Sequence, residues 1–248
     1  MTAYDFLFAR LLEEAEVDII LVGDSLGQVV LGHDSTLPVT VDQMIHHASA
    51  VRRGAPDSFI VVDLPFMSFQ INTEEALRNA GRALKETGVE AVKMEGGSPR
   101  ACATVEALVT AGIPVMGHLG LTPQSVHALG GYRVQGRTQE EAARLRKESR
   151  ALEEAGAFSI VLELLPTDLA AEISAGLTIP TIGIGAGAGC DGQVLVLYDA
   201  LGLNPGFQPK FLKRFAQLHD VALDGVRRYA DEVRAGTYPG PEHSFQDS

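Results

Sequence analysis

Five apolar runs in this chain end in a group that can do chemistry. Leu21-Val22 leads into Gly23-Asp24-Ser25, Val61-Val62 into Asp63, Val92 into Lys93-Met94-Glu95, Val115-Met116-Gly117 into His118, and Ile160-Val161-Leu162 into Glu163. Short apolar runs bounded by turn residues read as buried strands. In parallel α/β proteins ligands gather where such strands end, because the scaffold below is rigid and the loops above vary freely. Asp24 alone could as well cap a turn. Repetition of the pattern over five strand ends is what argues for one shared site.

Asp24, Asp63 and Glu95 bring carboxylates from three strands, hard oxygen donors suited to a divalent cation that keeps waters, such as magnesium. Lys93 and Glu95 are two apart on one strand, so both side chains point to one face and Met94 to the other. A buried charge facing helices would be costly, so the pair faces inward, either toward a ligand or toward each other. No His/Cys cluster competes for a softer metal. His46 and His47 are adjacent in a helical stretch, and His33, His127, His219 and His243 fall in loops or amphipathic helices, so these six read as surface or packing residues. His118 stands apart because it ends a strand. The turn Gly187-Ala188-Gly189-Cys190-Asp191-Gly192 matches a dinucleotide-binding glycine pattern, but the apolar run Gln193 to Leu197 follows it where a helix would be required, which argues against a phosphate site.

The elements that position these residues alternate along the chain. Helical spacing over residues 6–16 feeds a strand at 17–22, and a long segment, Leu26 to Val41, follows Asp24. Thr40 and Gln43 form a capping box for a helix ending near Arg53, followed by a strand over 59–64. Asn72 or Thr73 caps a helix that stops at Gly88, and Ala91 to Glu95 is the next strand. A helix over 98–111, a strand from Pro114 to Leu121 and a second long loop, Thr122 to Arg137, come next; Thr138 and Glu141 then cap a charged helix to Ala155. Strands over 158–163, 181–185 and 193–197, a short helix from Thr167, a helical stretch from Pro209 to Arg234 and a poorly ordered tail, Pro239 to Ser248, complete the reading. Seven parallel strands joined by helices predict a (β/α)8 TIM barrel with its first strand truncated; charged groups at nearly every strand end favour that over an open doubly wound sheet.

The 248 residues suit one large domain, 1–248. Aromatics make up 6% and Trp is absent, so the core must be aliphatic, as in a parallel sheet wrapped in helices. A net charge of -12 disfavours nucleic acid and anionic membranes as partners and fits a protein acting on small molecules. Two cysteines, Cys102 and Cys190, form neither a disulfide framework nor a zinc spacing, and the N-terminal stretch is rich in charge, so a cytoplasmic location is expected.

A set of motifs is more specific than any of these patterns. Thr2-Ala3-Tyr4-Asp5, Val22-Gly23-Asp24-Ser25-Leu26-Gly27, Gly32-His33-Asp34-Ser35-Thr36, Asp63-Leu64-Pro65-Phe66, Lys93-Met94-Glu95-Gly96-Gly97, Gly117-His118-Leu119-Gly120-Leu121-Thr122-Pro123-Gln124 and Ile182-Gly183-Ile184-Gly185-Ala186-Gly187 together resemble the 3-methyl-2-oxobutanoate hydroxymethyltransferase (ketopantoate hydroxymethyltransferase) family over essentially the whole chain. The resemblance implies a magnesium-dependent (β/α)8 enzyme of pantothenate biosynthesis, usually a homodecamer. Such an enzyme moves a hydroxymethyl group from 5,10-methylenetetrahydrofolate to 3-methyl-2-oxobutanoate, giving 2-dehydropantoate and tetrahydrofolate. Carried onto this chain, it makes Asp24 and Asp63 metal ligands and Glu95 a third acidic position acting through water. It places the keto acid on Ser25 and Lys93 beside Asp24 and Asp63, and makes Glu163 the catalytic base. Members of the family usually carry further residues before Thr-Ala-Tyr-Asp, including most of a barrel strand, whereas Met1 immediately precedes Thr2 here; either the start is misassigned or the barrel closes imperfectly. The competing enzyme class is the phosphoenolpyruvate mutase and isocitrate lyase group, whose members usually show a lid cysteine motif that Cys102 and Cys190 do not match. A fold that had lost its activity is the third reading. The folate pocket is not assignable from the residues, although the loops 26–41 and 122–137 overhang the expected rim.

Overall fold

The computed structural model describes residues 1–245. Helix α1 (Phe6–Glu14) leads into β1 (Ile19–Val22); a short helix α2 (Leu26–Val29) interrupts the long segment after it, and α3 (Val41–Gly54) leads to β2 (Phe59–Asp63). Then come α4 (Thr73–Thr87), β3 (Ala91–Glu95), α5 (Pro99–Thr110), β4 (Val115–Gly120), α6 (Gln139–Glu154), β5 (Ser159–Glu163), α7 (Thr167–Ala175), β6 (Thr181–Ile184), β7 (Gly192–Gln193), α8 (Leu197–Ala200) and α9 (Leu218–Ala235). The helix starts follow local chemistry. Thr40 with Gln43, and Thr138 with Glu141, make reciprocal capping boxes, while the side chains of Asp5, Asn72 and Ser98 each accept a backbone N–H from the first turn they precede. Gly88 closes α4 at φ 76, a left-handed conformation that costs glycine little.

Among the described residues the strands form one parallel sheet in the order β1-β2-β3-β4-β5-β6-β7, each neighbour reached through a helical crossover up to β6. Both faces are covered. Ile20, Val22, Ile60, Val62, Val92, Met94, Val115, Leu119, Ile160 and Leu162 are buried on the side that packs against helices α3 to α6. Leu21, Val61, Ala91, Met116 and Val161 form a second apolar cluster on the other face, the inner one of the curled sheet. Burial on two sides is why each strand reads as an almost unbroken aliphatic run. Because side chains alternate, Asp63, Lys93, Glu95, His118 and Glu163 share the inner face with that cluster, one layer nearer the strand ends.

Two expectations are corrected. The last strand is only Gly192–Gln193, and the backbone beyond it turns to other partners: Leu195 C=O accepts Thr2 N–H at 3.2 Å, and Leu197 N–H donates to Thr2 Oγ1 at 2.9 Å. Among the described residues the sheet has seven strands, the number expected from the sequence. The free edge of β1 is nonetheless bonded, since Leu21 N–H donates to Met1 C=O at 2.9 Å and Ala3 N–H to Leu21 C=O at 3.0 Å. The three residues Met1–Ala3 thus bond both β1 and the segment after β7. The helical stretch expected from Pro209 shrinks to α9, because Leu218 and His219 give their N–H groups to Leu201 and Gly202 and the preceding chain runs in turns. The tail contains a 3₁₀ turn at Pro241–His243, and residues 246–248 lie outside the described residues.

Contacts divide the chain into two compact units, Met1–Leu197 and Tyr198–Ser248. The first holds the sheet and every residue singled out above for chemistry. The second carries α9, which has no buried residue. Among the described residues no helix is long and apolar enough to cross a membrane.

Candidate active site

The inner-face groups of four strands meet at their C-terminal ends, together with the turn that leaves β1. Lys93 Nζ lies 2.6 Å from Asp63 Oδ1, the residue opposite it in register. Asp63 Oδ2 accepts the backbone N–H of Asp24 at 3.0 Å, which ties the exit of β1 to the end of β2. His118, opposite Glu95, places Nδ1 3.3 Å from Lys93 Nζ and 3.6 Å from Glu95 Oε1, and Nε2 3.2 Å from Glu163 Oε2. An ammonium only donates, so His118 Nδ1 accepts and Nε2 carries the hydrogen, close to Glu163 but not aligned to bond it. Ser25 Oγ is 2.8 Å from the phenol oxygen of the buried Tyr4. Gly23 keeps this turn tight: a Cβ there would come within 2.8 Å of Ser25 Oγ.

Two further side chains join from the loops. Gln124, in the 3₁₀ turn Pro123–Ser125 that follows β4, gives its side-chain Nε2 to Asp24 Oδ2 and its backbone N–H to Glu95 Oε2. Tyr132, half-exposed on the loop 122–137, lies 3.4 Å through its hydroxyl from Gln28 Nε2 of α2. Gln124 lies within the motif Gly117 to Gln124, yet the sequence assigns it no role; its one local signal is an amide placed just past a strand end that delivers an imidazole.

Charge is the dominant fact of this site. Asp24, Asp63, Glu95 and Lys93 are each less than a tenth exposed, and the Glu163 side chain only 17%. Burial, then the neighbouring Asp63 charge, pushes Asp24 up to about 7. Burial likewise lifts Glu163 to about 7, with Lys93 pulling the other way, and burial and Asp24 hold Glu95 well above the usual carboxylate range. Lys93 is desolvated too, yet the charges of Asp63, Glu95 and Asp24 outweigh that and raise it. Burial and Lys93 hold His118 far below the usual imidazole range, so it is neutral. The arrangement therefore contains a half-ionised carboxyl group at neutral pH, Glu163, beside a fixed ammonium and a neutral imidazole. Such a set can accept a proton from carbon and hold an anionic substrate.

The expected residues Asp24, Ser25, Asp63, Lys93, Glu95 and Glu163 are thus brought to one place, and His118 with them. Lys93 pairs with Asp63 more closely than with Glu95. The ketopantoate hydroxymethyltransferase family model matches residues 1–241. The chain belongs to this family. The 3-methyl-2-oxobutanoate hydroxymethyltransferase of Leptospira interrogans is 56% identical over 245 residues, covering 99% of this chain and 92% of its own. That of Heliobacterium modesticaldum is 58% identical, covering 99% and 88%. The chain is accordingly an enzyme of the hydroxymethyltransferase class. Among solved structures, phosphoenolpyruvate phosphomutase from Streptomyces platensis subsp. rosaceus is similar with a TM-score of 0.62 at 14% identity, over 99% of this chain and 86% of that one. The 2,3-dimethylmalate lyase of the PEP mutase/isocitrate lyase superfamily has a TM-score of 0.58 at 18% identity, over 99% and 85%. These likenesses establish the fold that a hydroxymethyltransferase chain shares with that superfamily.

Proposed function

We propose that this enzyme transfers a hydroxymethyl group from 5,10-methylenetetrahydrofolate to 3-methyl-2-oxobutanoate, giving 2-dehydropantoate and tetrahydrofolate, with Glu163 as the base that removes the C3 proton. The observation that carries the reading is the juxtaposition, on one inner face, of Glu163 with Lys93 and the carboxylates Asp24, Asp63 and Glu95. A C3 proton leaves a 2-oxo acid only if the charge developing on the keto oxygen is stabilised. Lys93 holds the substrate carboxylate, and Ser25, oriented by Tyr4, donates a hydrogen bond beside it. Glu163, half ionised near pH 7, takes the C3 proton; C3 bonds to the one-carbon unit, both C–N bonds to the folate break, and one water supplies the hydroxyl, its other hydrogen and the C3 proton ending on the two folate nitrogens.

The donor set fits a magnesium ion. Four acidic side chains face one ammonium, and burial, with the neighbouring carboxylates adding to it, raises Asp24 and Glu95 above the usual carboxylate range. Among the described residues no three His, Cys, Asp or Glu side chains form a ready-made cage. Magnesium needs none, since it keeps several waters and takes one or two carboxylates plus the substrate. Asp24 and Asp63 would hold it directly and Glu95 through water. When bound, the ion supplies the positive charge that a developing enolate oxygen needs.

Family membership supports the further proposals of a homodecamer and a cytoplasmic location. The bonds of Met1–Ala3 to both β1 and Leu195 support a closed barrel in which this short segment takes the place of the eighth strand. Incubation of the purified protein with the keto acid, the folate donor and Mg²⁺ should yield 2-dehydropantoate by mass spectrometry, and chelation should stop it. A folded protein that makes none of this product would overturn the reading.

A further inference from the structure

We infer that Gln124 is the positioning residue for the two carboxylates Asp24 and Glu95, and that Gln70 sets its orientation. The inference rests on the metal-site reading above and adds what holds that site in shape. Gln124 is 6% exposed, and every hydrogen-bonding group of its side chain is used. Nε2 donates to Asp24 Oδ2 and to Leu64 C=O, both at 2.9 Å, and Oε1 accepts Gln70 Nε2 at 2.8 Å. Its backbone N–H donates to Glu95 Oε2 at 3.0 Å. One residue therefore grips the groups that leave β1, β2 and β3.

The chemistry of an amide suits this task. A lysine or arginine at the same place would hold Asp24 equally well but cancel its charge, whereas a neutral donor fixes one oxygen and leaves the negative charge available to a cation. The grip works in one amide orientation only, because a flipped carboxamide would set Oε1 against Asp24 Oδ2, two acceptors face to face. Gln70 prevents the flip by donating to Oε1. Gln70 is itself oriented by the backbone N–H of Phe69, 3.4 Å from its Oε1. A chain of donors thus runs from a fixed backbone group through two amides to Asp24. Glu95 is held differently, by a backbone N–H, so side-chain substitutions at 124 release Asp24 and spare the bond to Glu95.

The test is the dissociation constant of Mn²⁺, read by the electron paramagnetic resonance of the free ion, in the parent and in Gln124→Met, Gln70→Ala and Asp63→Asn. Methionine keeps the length and removes both donors. Gln124→Met should bind Mn²⁺ about 10–100-fold more weakly, the usual cost of losing a group that orients a metal ligand. Gln70→Ala should weaken it in the same direction by about threefold or more. Asp63→Asn should bind far more weakly than either. Parent affinity, within about twofold, in folded Gln124→Met while Asp63→Asn loses binding would overturn the inference and leave the metal reading standing. Parent affinity in Asp63→Asn would remove the metal reading and this inference with it. Should Gln124→Met not fold, Gln70→Ala decides: weakened binding supports the positioning role, and parent affinity excludes it.

Discussion

At the scale of single residues, Lys93 balances the charge of the site. Spacing alone placed Lys93 and Glu95 on one face, and that holds. The partner was not legible, because register is a long-range property. The pairing of β2 with β3 sets Asp63 opposite Lys93, whereas β4 sets His118 opposite Glu95. Lys93→Met keeps the stem and removes the ammonium from among buried carboxylates. Breaking a buried pair in this way costs roughly 3–5 kcal/mol. Denaturant unfolding should show that loss, and calorimetric titration should show weaker binding of 3-methyl-2-oxobutanoate. Parent values of both would mean that Lys93 neither balances the cluster nor holds the substrate.

At the scale of elements, the ends of strands and helices decide what the site can be. Gly120 closes β4 at φ 95, and a Cβ there would collide with the carbonyl oxygen of Glu163, the atom that accepts Leu121 N–H at 2.9 Å. Gly120→Ala combines a disfavoured φ with a backbone clash, so it should destabilise by more than about 3 kcal/mol and displace Glu163. Thr138→Ala is the contrasting case. It removes one cap of α6, a hydroxyl that accepts Glu141 N–H and does not bond the charged cluster, and should cost about 1 kcal/mol with turnover unchanged. Equal effects of the two substitutions on turnover would refute this distinction. The caps at Thr40, Asn72 and Thr138 were legible because capping is settled within four residues of chain; the Ser98 cap appeared only with the structure. The length of β7 was not, since the segment after Gln193 is held by Thr2, far away in sequence, and no local pattern records that. The same holds for the turns before α9, where Leu201 and Gly202 take the N–H groups that open the helix.

At the scale of the whole molecule, two-faced burial made the parallel α/β class legible from aliphatic runs alone, and five polar strand ends made the site legible. The seven strands were legible too; the bonds of Met1–Ala3 to β1 and to Leu195 were not, because they run between backbone groups that carry no side-chain signature. If Mg²⁺ binds as proposed, metal and proton compete for the same carboxyls. Asp24 and Glu163, ordinarily near 4, titrate near 7 in the folded protein, and Glu95 is also raised. A proton occupies Asp24, a proposed ligand, below about pH 7 and leaves as pH rises, so Mg²⁺ should gain affinity in that direction. The rise in Tm caused by Mg²⁺, measured against chelator at the same pH, should therefore be larger at pH 8 than at pH 6. A rise equal at both would place the ion away from these groups. The central claim is proton abstraction by Glu163, and it can be isolated from transfer. Deuterium exchange at C3 of 3-methyl-2-oxobutanoate is followed in heavy water with Mg²⁺ and no folate, in the parent and in Glu163→Gln. Parent exchange should climb with pH up to about 7 and then level, because the protonated acid cannot accept. In Glu163→Gln it should fall by about 10² to 10⁴ while the keto acid still binds. Exchange at the parent rate in Glu163→Gln would contradict the assignment and move the base elsewhere, to His118 first.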